Sequence, residues 1–217
     1  LMQYSALLLA FFLSYAFGIY EYKAISNQAL VRVEVQFGPE GRARVSDWSD
    51  LLNELGSLVP PEDATHLREV NDYFNQVDWV WDIDHWGIED YWATPIETLG
   101  SNGGDCEDFS IGKYFSLTSL GMDTSKLRIT YVKALDYDLA HMVLAYYKTP
   151  SSEPLILDNI NKTILPASQR ADLLPVYSFN GEGLWLAKSR SRKVRGDVSK
   201  NLPSWGGLKS KMDAELL

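Results

Sequence analysis

Apolar positions recur at helical spacing in three stretches of the chain. Trp48, Leu51, Leu52 and Leu55 share one face of the segment Ser46 to Leu55, and Gly56 follows as a stop. Pro60-Pro61 then interrupts the chain, and Leu67, Val70 and Phe74 mark a second amphipathic helix over Glu62 to Gln76. The third helix runs from near Cys106 to near Leu120, with Gly121 where a left-handed turn is easiest. Between the second and third lie Trp79, Trp81, Trp86, Tyr91 and Trp92, broken up by Asp82, Asp84 and Gly87. That mixture predicts a loop packed over the core.

Beyond Gly121 the period changes to two. Lys126 to Val132 alternates as a strand, His141 to Tyr147 reads as a second, and Leu155-Ile156-Leu157 with Asp158 as a short third. Val176 to Phe179 and Leu184 to Ala187 flank Asn180-Gly181-Glu182-Gly183, a strong hairpin signal. Helices first and an antiparallel sheet second define an α+β chain, with no internal repeat.

A length of 217 residues suits one domain with extensions. At the N-terminus, the apolar run from Ala6 to Phe17 is short for a bilayer span but has the length of a signal-peptide core. Ser14-Tyr15-Ala16 supplies the small-x-small pattern, so residues 1–16 read as a signal peptide and export is expected, although no Lys or Arg precedes the run. The catalytic domain is then 17–187. Lys188, Arg190, Arg192, Lys193, Arg195, Lys200, Lys209 and Lys211 crowd residues 188–217, expected to be a solvated, weakly ordered basic extension. A formal net charge of -9 argues against nucleic-acid binding, which wants a basic face.

The single cysteine excludes an intramolecular disulfide and sits in an unusual place, Asn102-Gly103-Gly104-Asp105-Cys106-Glu107-Asp108-Phe109. Two glycines let the backbone turn tightly, and a helix starting at Cys106 would favour the thiolate through its unpaired amides and dipole. His141 lies on a strand, on the same side as Val143 and Ala145, and Asp158 ends the next strand. A nucleophile at a helix tip, a base on a strand and an acid on its neighbour make the constellation of a cysteine hydrolase. Each residue alone has an ordinary reading: a small buried hydrophobe, a core histidine, a strand end. Together they fit one mechanism, and His66 and His85 have no comparable setting. The Cys106 amide would be one oxyanion donor, and Trp92 or Asn75 are candidates for the second.

The runs GGDCEDFSIGKYFSLTSLGM, AHMVLAYY and LILDNI, preceded by DYWATPIETL, resemble the bacterial transglutaminase-like cysteine proteinases, and within them the LapG type of periplasmic protease. The resemblance covers about Trp48 to Ala187. It implies a papain/transglutaminase-like fold and a calcium-dependent endopeptidase with the trio Cys106, His141 and Asp158. It also implies a large surface adhesin as substrate, cut near its N-terminus at a dialanine site to control biofilm attachment. An inner-membrane cyclic-di-GMP receptor that sequesters the protease would be the second partner.

Three carboxylates beside the thiol would raise its pKa unless neutralised. A hard cation with oxygen ligands would do that, and calcium suits the site better than zinc because no second Cys or nearby His offers a soft ligand. Spacing alone divides evenly between metal ligation and helix capping for Asp105, Glu107 and Asp108; the resemblance implies that they are the calcium positions. Asp82-Ile83-Asp84 is expected to stay solvated. A transglutaminase-like acyltransferase and a non-catalytic calcium-binding or receptor-docking module are the alternatives.

Overall fold

The computed structural model describes Tyr22, residues 25–186 and residues 197–215. The expected signal peptide and the basic run from Lys188 to Arg195 lie outside the described residues.

The first helix, α1 (Asn27–Gly56), starts much earlier than its apolar face suggests. Ser26 caps it by accepting from the Ala29 amide, and Gly38, at φ 79° and ψ 177°, breaks it into two segments with Pro39 opening the second. Val45, Trp48, Leu52 and Leu55 point into the core as the sequence predicts. Helix α2 (Asp63–Phe74) buries Leu67, Val70 and Phe74. After it come the short strand β1 (Asp78–Trp79), the single-turn α3 (Asp82–His85), α4 (Pro95–Ser101) and β2 (Gly103–Gly104), which pairs in parallel with β1. The region between the second and third helices is therefore more than a loop: Thr94 and Glu97 form a capping box around Pro95, and Trp92 is buried.

Helix α5 (Cys106–Ser119) is the centre of the molecule, buried on every side from Glu107 to Ser119. Small residues allow this. A Cβ on Gly112 would lie 2.0 Å from the Phe74 ring, so only glycine lets α2 approach α5 this closely. Trp48 Nε1 donates to Ser116 Oγ at 2.9 Å, fixing α1 against the same helix.

One six-stranded antiparallel sheet follows, built from β3 (Leu127–Ala134), β4 (Leu139–Tyr146), β5 (Leu155–Leu157), β6 (Leu165–Pro166), β7 (Leu173–Asn180) and β8 (Gly183–Leu186), in the order β6-β5-β4-β3-β7-β8. Met142, Leu144, Tyr146, Ile129 and Phe179 face the helices and join the main core. Val132, Val143, Ala145 and Ile156 form a smaller cluster on the other face. At the β7–β8 hairpin Asn180 Oδ1 accepts the amides of Glu182 and Gly183, which is why this Asn-Gly pair turns the chain.

The expectation of a solvated C-terminal extension fails for residues 197–215. Helices α6 (Val198–Asn201) and α7 (Pro203–Glu215) return to the helical layer, so helices do not simply precede the sheet. Trp205, Leu208 and Met212 are buried along one stripe, and Trp205 stacks on Phe115 with ring centroids 5.5 Å apart. The Lys211 ammonium donates to Trp92 O at 2.8 Å and to Glu97 Oε2 at 2.7 Å. Burial of these apolar side chains outweighs the charge that suggested solvation. Trp205→Ala should destabilise the fold by about 3–5 kcal/mol in denaturant unfolding, as large core truncations do. A loss below about 1 kcal/mol, the size of a surface change, would mean that α7 is not anchored.

Candidate active site

Cys106 is the first residue of α5, and the turn leading into it is tightly specified. Val80 N–H donates to Gly104 O at 3.0 Å, holding β1 against the turn. A Cβ on Gly104 would lie 2.7 Å from Asp108 Oδ2, so glycine is needed where the chain passes the helix start. Asp108 works there as a cap. Its Oδ2 accepts the Asp105 amide at 3.2 Å, and its Oδ1 accepts the Ala93 amide at 2.7 Å.

Two of the three expected catalytic residues meet directly. His141, on β4, and Asp158, just past β5, are both buried, with Nε2 2.8 Å from Oδ1. Burial opposes ionisation of Asp158, but the His141 hydrogen bond and charge, the Ile160 amide and Arg170 outweigh it and hold the carboxyl well below its usual range. An ionised Asp158 only accepts, so His141 Nε2 is the donor and Nδ1 is left as the basic nitrogen of the neutral ring. Cys106 approaches the same strand, where the Met142 backbone N–H, next to His141, faces the sulfur. The thiol itself is turned elsewhere: Sγ donates to Glu107 Oε2 at 3.1 Å, and among the described residues no hydrogen bond joins it to His141.

The expected lowering of the thiol pKa by the helix start is overridden in this arrangement. Burial, then the negative charges of Glu107 and Asp105, push it well above its ordinary value, with only the Met142 amide opposing.

The acidic neighbours gather more carboxylates than the sequence suggests. Carboxylate oxygens of Asp82, Asp105 and Asp108 lie within 4.8 Å of one another, and those of Asp82, Asp90 and Glu107 do so as well. Asp82 is therefore not solvated: it is 2% exposed, because α3 folds back under the 90–94 segment and its Oδ2 accepts the Tyr91 amide at 2.6 Å. Asp84 stays exposed, as expected. Burial, compounded by the surrounding carboxylates, pushes Asp82 up to about 6 and Asp105 up to about 10. Asp82 Oδ1 and Asp105 Oδ1 are buried without a hydrogen-bond partner. Orphaned, mutually repelling carboxylate oxygens with no soft ligand other than the thiol fit a hard cation. Asp82, Asp90, Asp105 and Glu107 could hold it. Both Asp108 oxygens already receive backbone amides, so its larger part is the cap.

Sequence reasoning also missed the residues that hold the acid. Arg170 Nη2 donates to Asp158 Oδ2 at 2.6 Å and to Asp172 Oδ2 at 2.8 Å, with the Arg170 and Asp158 side chains almost fully buried. The two oxygens of Asp158 are thus divided between His141 and Arg170. Asn75 Nδ2 donates to the Asp158 backbone carbonyl at 2.9 Å, while Asn75 Oδ1 accepts from Lys113 Nζ at 2.8 Å. Burial draws the Lys113 ammonium down to about 7 against the pull of Asp158 and Asp72. Both expected oxyanion donors have other partners, and Trp92 has no second N–H to offer. The Asn75 amide is committed to Asp158, and Trp92 Nε1 donates to Asp90 Oδ1 at 2.9 Å.

A lone cysteine at the tip of a buried helix, set against an antiparallel sheet that carries a His–Asp pair, defines a transglutaminase-like cysteine hydrolase. The chain belongs to the bacterial transglutaminase-like cysteine proteinases, whose family model matches residues 53–183. Among solved structures it is similar to LapG of Legionella pneumophila. The EGTA-treated form is 44% identical with a TM-score of 0.75, covering 87% of this chain and 98% of that one. The calcium-bound form is 42% identical with a TM-score of 0.72, covering 87% and 99%. No match to the chain was found among curated proteins.

Proposed function

We propose that this chain is a calcium-dependent periplasmic cysteine endopeptidase of the LapG kind, in which Cys106 is the nucleophile, His141 the base and Asp158 the orienting acid. The observation that carries the reading is the placement of the only thiol in the chain at the start of α5, against the strand that bears the His141–Asp158 pair. A cysteine proteinase with one cysteine has no other nucleophile.

In the reaction, His141 Nδ1 takes the Cys106 proton and the thiolate attacks the scissile carbonyl carbon. The Cys106 amide donates to the developing oxyanion. Collapse breaks the C–N bond, His141 returns the proton to the leaving amine, and a thioester remains on Sγ. Water, deprotonated by His141, then hydrolyses that thioester. Asp158 holds the imidazole by Nε2 and stabilises the imidazolium, while Arg170 keeps Asp158 ionised and in place.

Calcium is the cation that suits the acidic cluster, because the oxygen donors are hard and LapG has a calcium-bound form. When bound, it supplies the positive charge that offsets the carboxylates around the thiol. In keeping with the sequence resemblance, the substrate is the N-terminal region of a large surface adhesin, cut at a dialanine site, and the regulator is an inner-membrane cyclic-di-GMP receptor. The first sixteen residues serve as the export signal.

The test is incubation with candidate adhesin N-termini, with and without calcium, read by mass spectrometry. Calcium-dependent cleavage at one dialanine bond is expected. Incorporation of a labelled amine without chain cleavage would instead assign an acyltransferase.

A further inference from the structure

We propose that Lys113, acting through Asn75, is a positioning residue for the reaction: the buried relay Lys113–Asn75–Asp158 ties the helix that carries the nucleophile to the acid that orients His141. The proposal rests on the cysteine-protease reading above. It adds what keeps the two halves of the site in register, since they stand on different layers of the fold.

The first observation is where Lys113 stands. Cys106 and Lys113 lie seven residues apart on α5, two turns along the same helix face, so one rigid element carries both. His141 and Asp158 belong to the sheet layer, on β4 and just past β5. A shift of the helix along the sheet would move Sγ and the imidazole relative to one another.

The second is the bridge between the layers. Asn75 ends α2, and the close approach of Phe74 to Gly112 sets it beside Lys113. Lys113 Nζ donates to Asn75 Oδ1 at 2.8 Å, and Asn75 Nδ2 donates to Asp158 O at 2.9 Å. From the segment that follows Asp158, Lys162 Nζ donates to Asn75 O at 2.7 Å, and Lys162 O accepts from Asn71 Nδ2 at 2.9 Å. Asn75 is thus held by main chain and side chain together. It fixes the backbone of Asp158, while Arg170 fixes the carboxylate.

The third is the choice of a lysine. Lys113 is 1% exposed, and lysine is almost never buried so completely unless it is paired. An apolar side chain of similar volume would pack there without the cost of desolvating an ammonium. What the ammonium contributes is direction. It donates only, so it turns Asn75 Oδ1 toward itself and leaves the amide N–H groups facing the Asp158 carbonyl. Without it the carboxamide is free to turn over and set oxygen against oxygen. The charge of Asp158 in turn favours the ammonium.

The experiment measures the second-order rate of Cys106 alkylation by iodoacetamide on the full chain, at neutral pH with calcium present, with circular dichroism as the control for folding. Lys113→Met should lower the rate by about tenfold, the usual effect of losing an orienting partner outside the reacting groups. Asn75→Asp keeps the shape of the side chain and its bond to Lys113 but puts an oxygen where Nδ2 stood, so it should lower the rate as far. In a His141→Ala background neither change should have any further effect, because the relay acts only through Asp158 and His141. A loosened fold would alter access to the thiol in that background too. Wild-type rates in folded Lys113→Met and Asn75→Asp proteins overturn the relay, as does an equal change with and without His141. If Lys113→Met does not fold, Asn75→Asp decides the matter alone. Alkylation of the wild type that is indifferent to His141→Ala fails the protease reading first and takes the relay with it.

Discussion

Cys106→Ala abolishes proteolysis, by about a million-fold in kcat, and leaves the fold intact. The size follows from the chemistry: without the sulfur there is no acyl-enzyme, and one difficult step can no longer be divided into two. The fold survives because Cys106 is only partly buried at a helix start, where alanine costs little. His141→Ala should cost nearly as much. Asp158→Asn should retain a trace of activity, about ten-thousandfold down, because an amide at that position favours the wrong imidazole tautomer. Initial rates on a cleavable adhesin fragment, with circular dichroism as the control for folding, check all three. Full activity in the Cys106→Ala protein would end the hydrolase account.

Chelation gives the second large effect. EGTA should suppress cleavage, and calcium should restore it. Magnesium should do so poorly, because it demands a near-octahedral shell and gives up water reluctantly. The structure supplies the reason. Glu107 Oε2 accepts the S–H of Cys106, and burial with the carboxylates around it favours the neutral thiol, a preference that a bound cation would offset. Calcium binding to the folded state alone should also raise stability, by about 2.7 kcal/mol at a hundred times the dissociation constant, or roughly 5–10 °C in melting temperature for a domain of this size. Asp105→Ala, Glu107→Ala and Asp82→Ala should each lose both the calcium response and most of the activity. Asp108→Ala should lose stability as well, since that carboxylate caps the helix. Melting curves with and without calcium separate these cases. Activity and melting temperature indifferent to EGTA would remove the metal site and leave the protease.

How much of this was legible in the sequence depended on the range of the forces involved. The periodicity at Leu67, Val70 and Phe74 yields α2 nearly to the residue, and Gly121, at φ 86°, closes α5 where the pattern places it. The stretch Val31 to Phe37 defeats the same method: it alternates like a strand but folds as helix, leaving Val31 and Val35 exposed while Val33 is buried. Tertiary packing of α1 overrides the local period there. Two further signals were present but local and weak. Thr94-Pro95-Ile96-Glu97 is a capping box, and Trp205, Leu208 and Met212 fall at helical spacing inside a charged tail. At the site, Cys106, His141 and Asp158 announce themselves by element type and order. Asp82, Asp90 and Arg170 do not, because what makes them important is proximity to residues distant in the chain, with Asp82 and Arg170 buried there, and no local pattern encodes that.

The most direct test of the account is the alkylation rate of Cys106 by iodoacetamide at neutral pH, measured by intact mass in calcium and again in EGTA. Burial and the surrounding carboxylates favour the protonated thiol, a bound cation would offset them, and in the proposed mechanism His141 is its base. The rate should therefore be high in calcium, fall by about tenfold or more in EGTA, and be low under both conditions in His141→Ala. Equal rates in calcium and EGTA, together with a His141→Ala protein that reacts like the wild type, would contradict it.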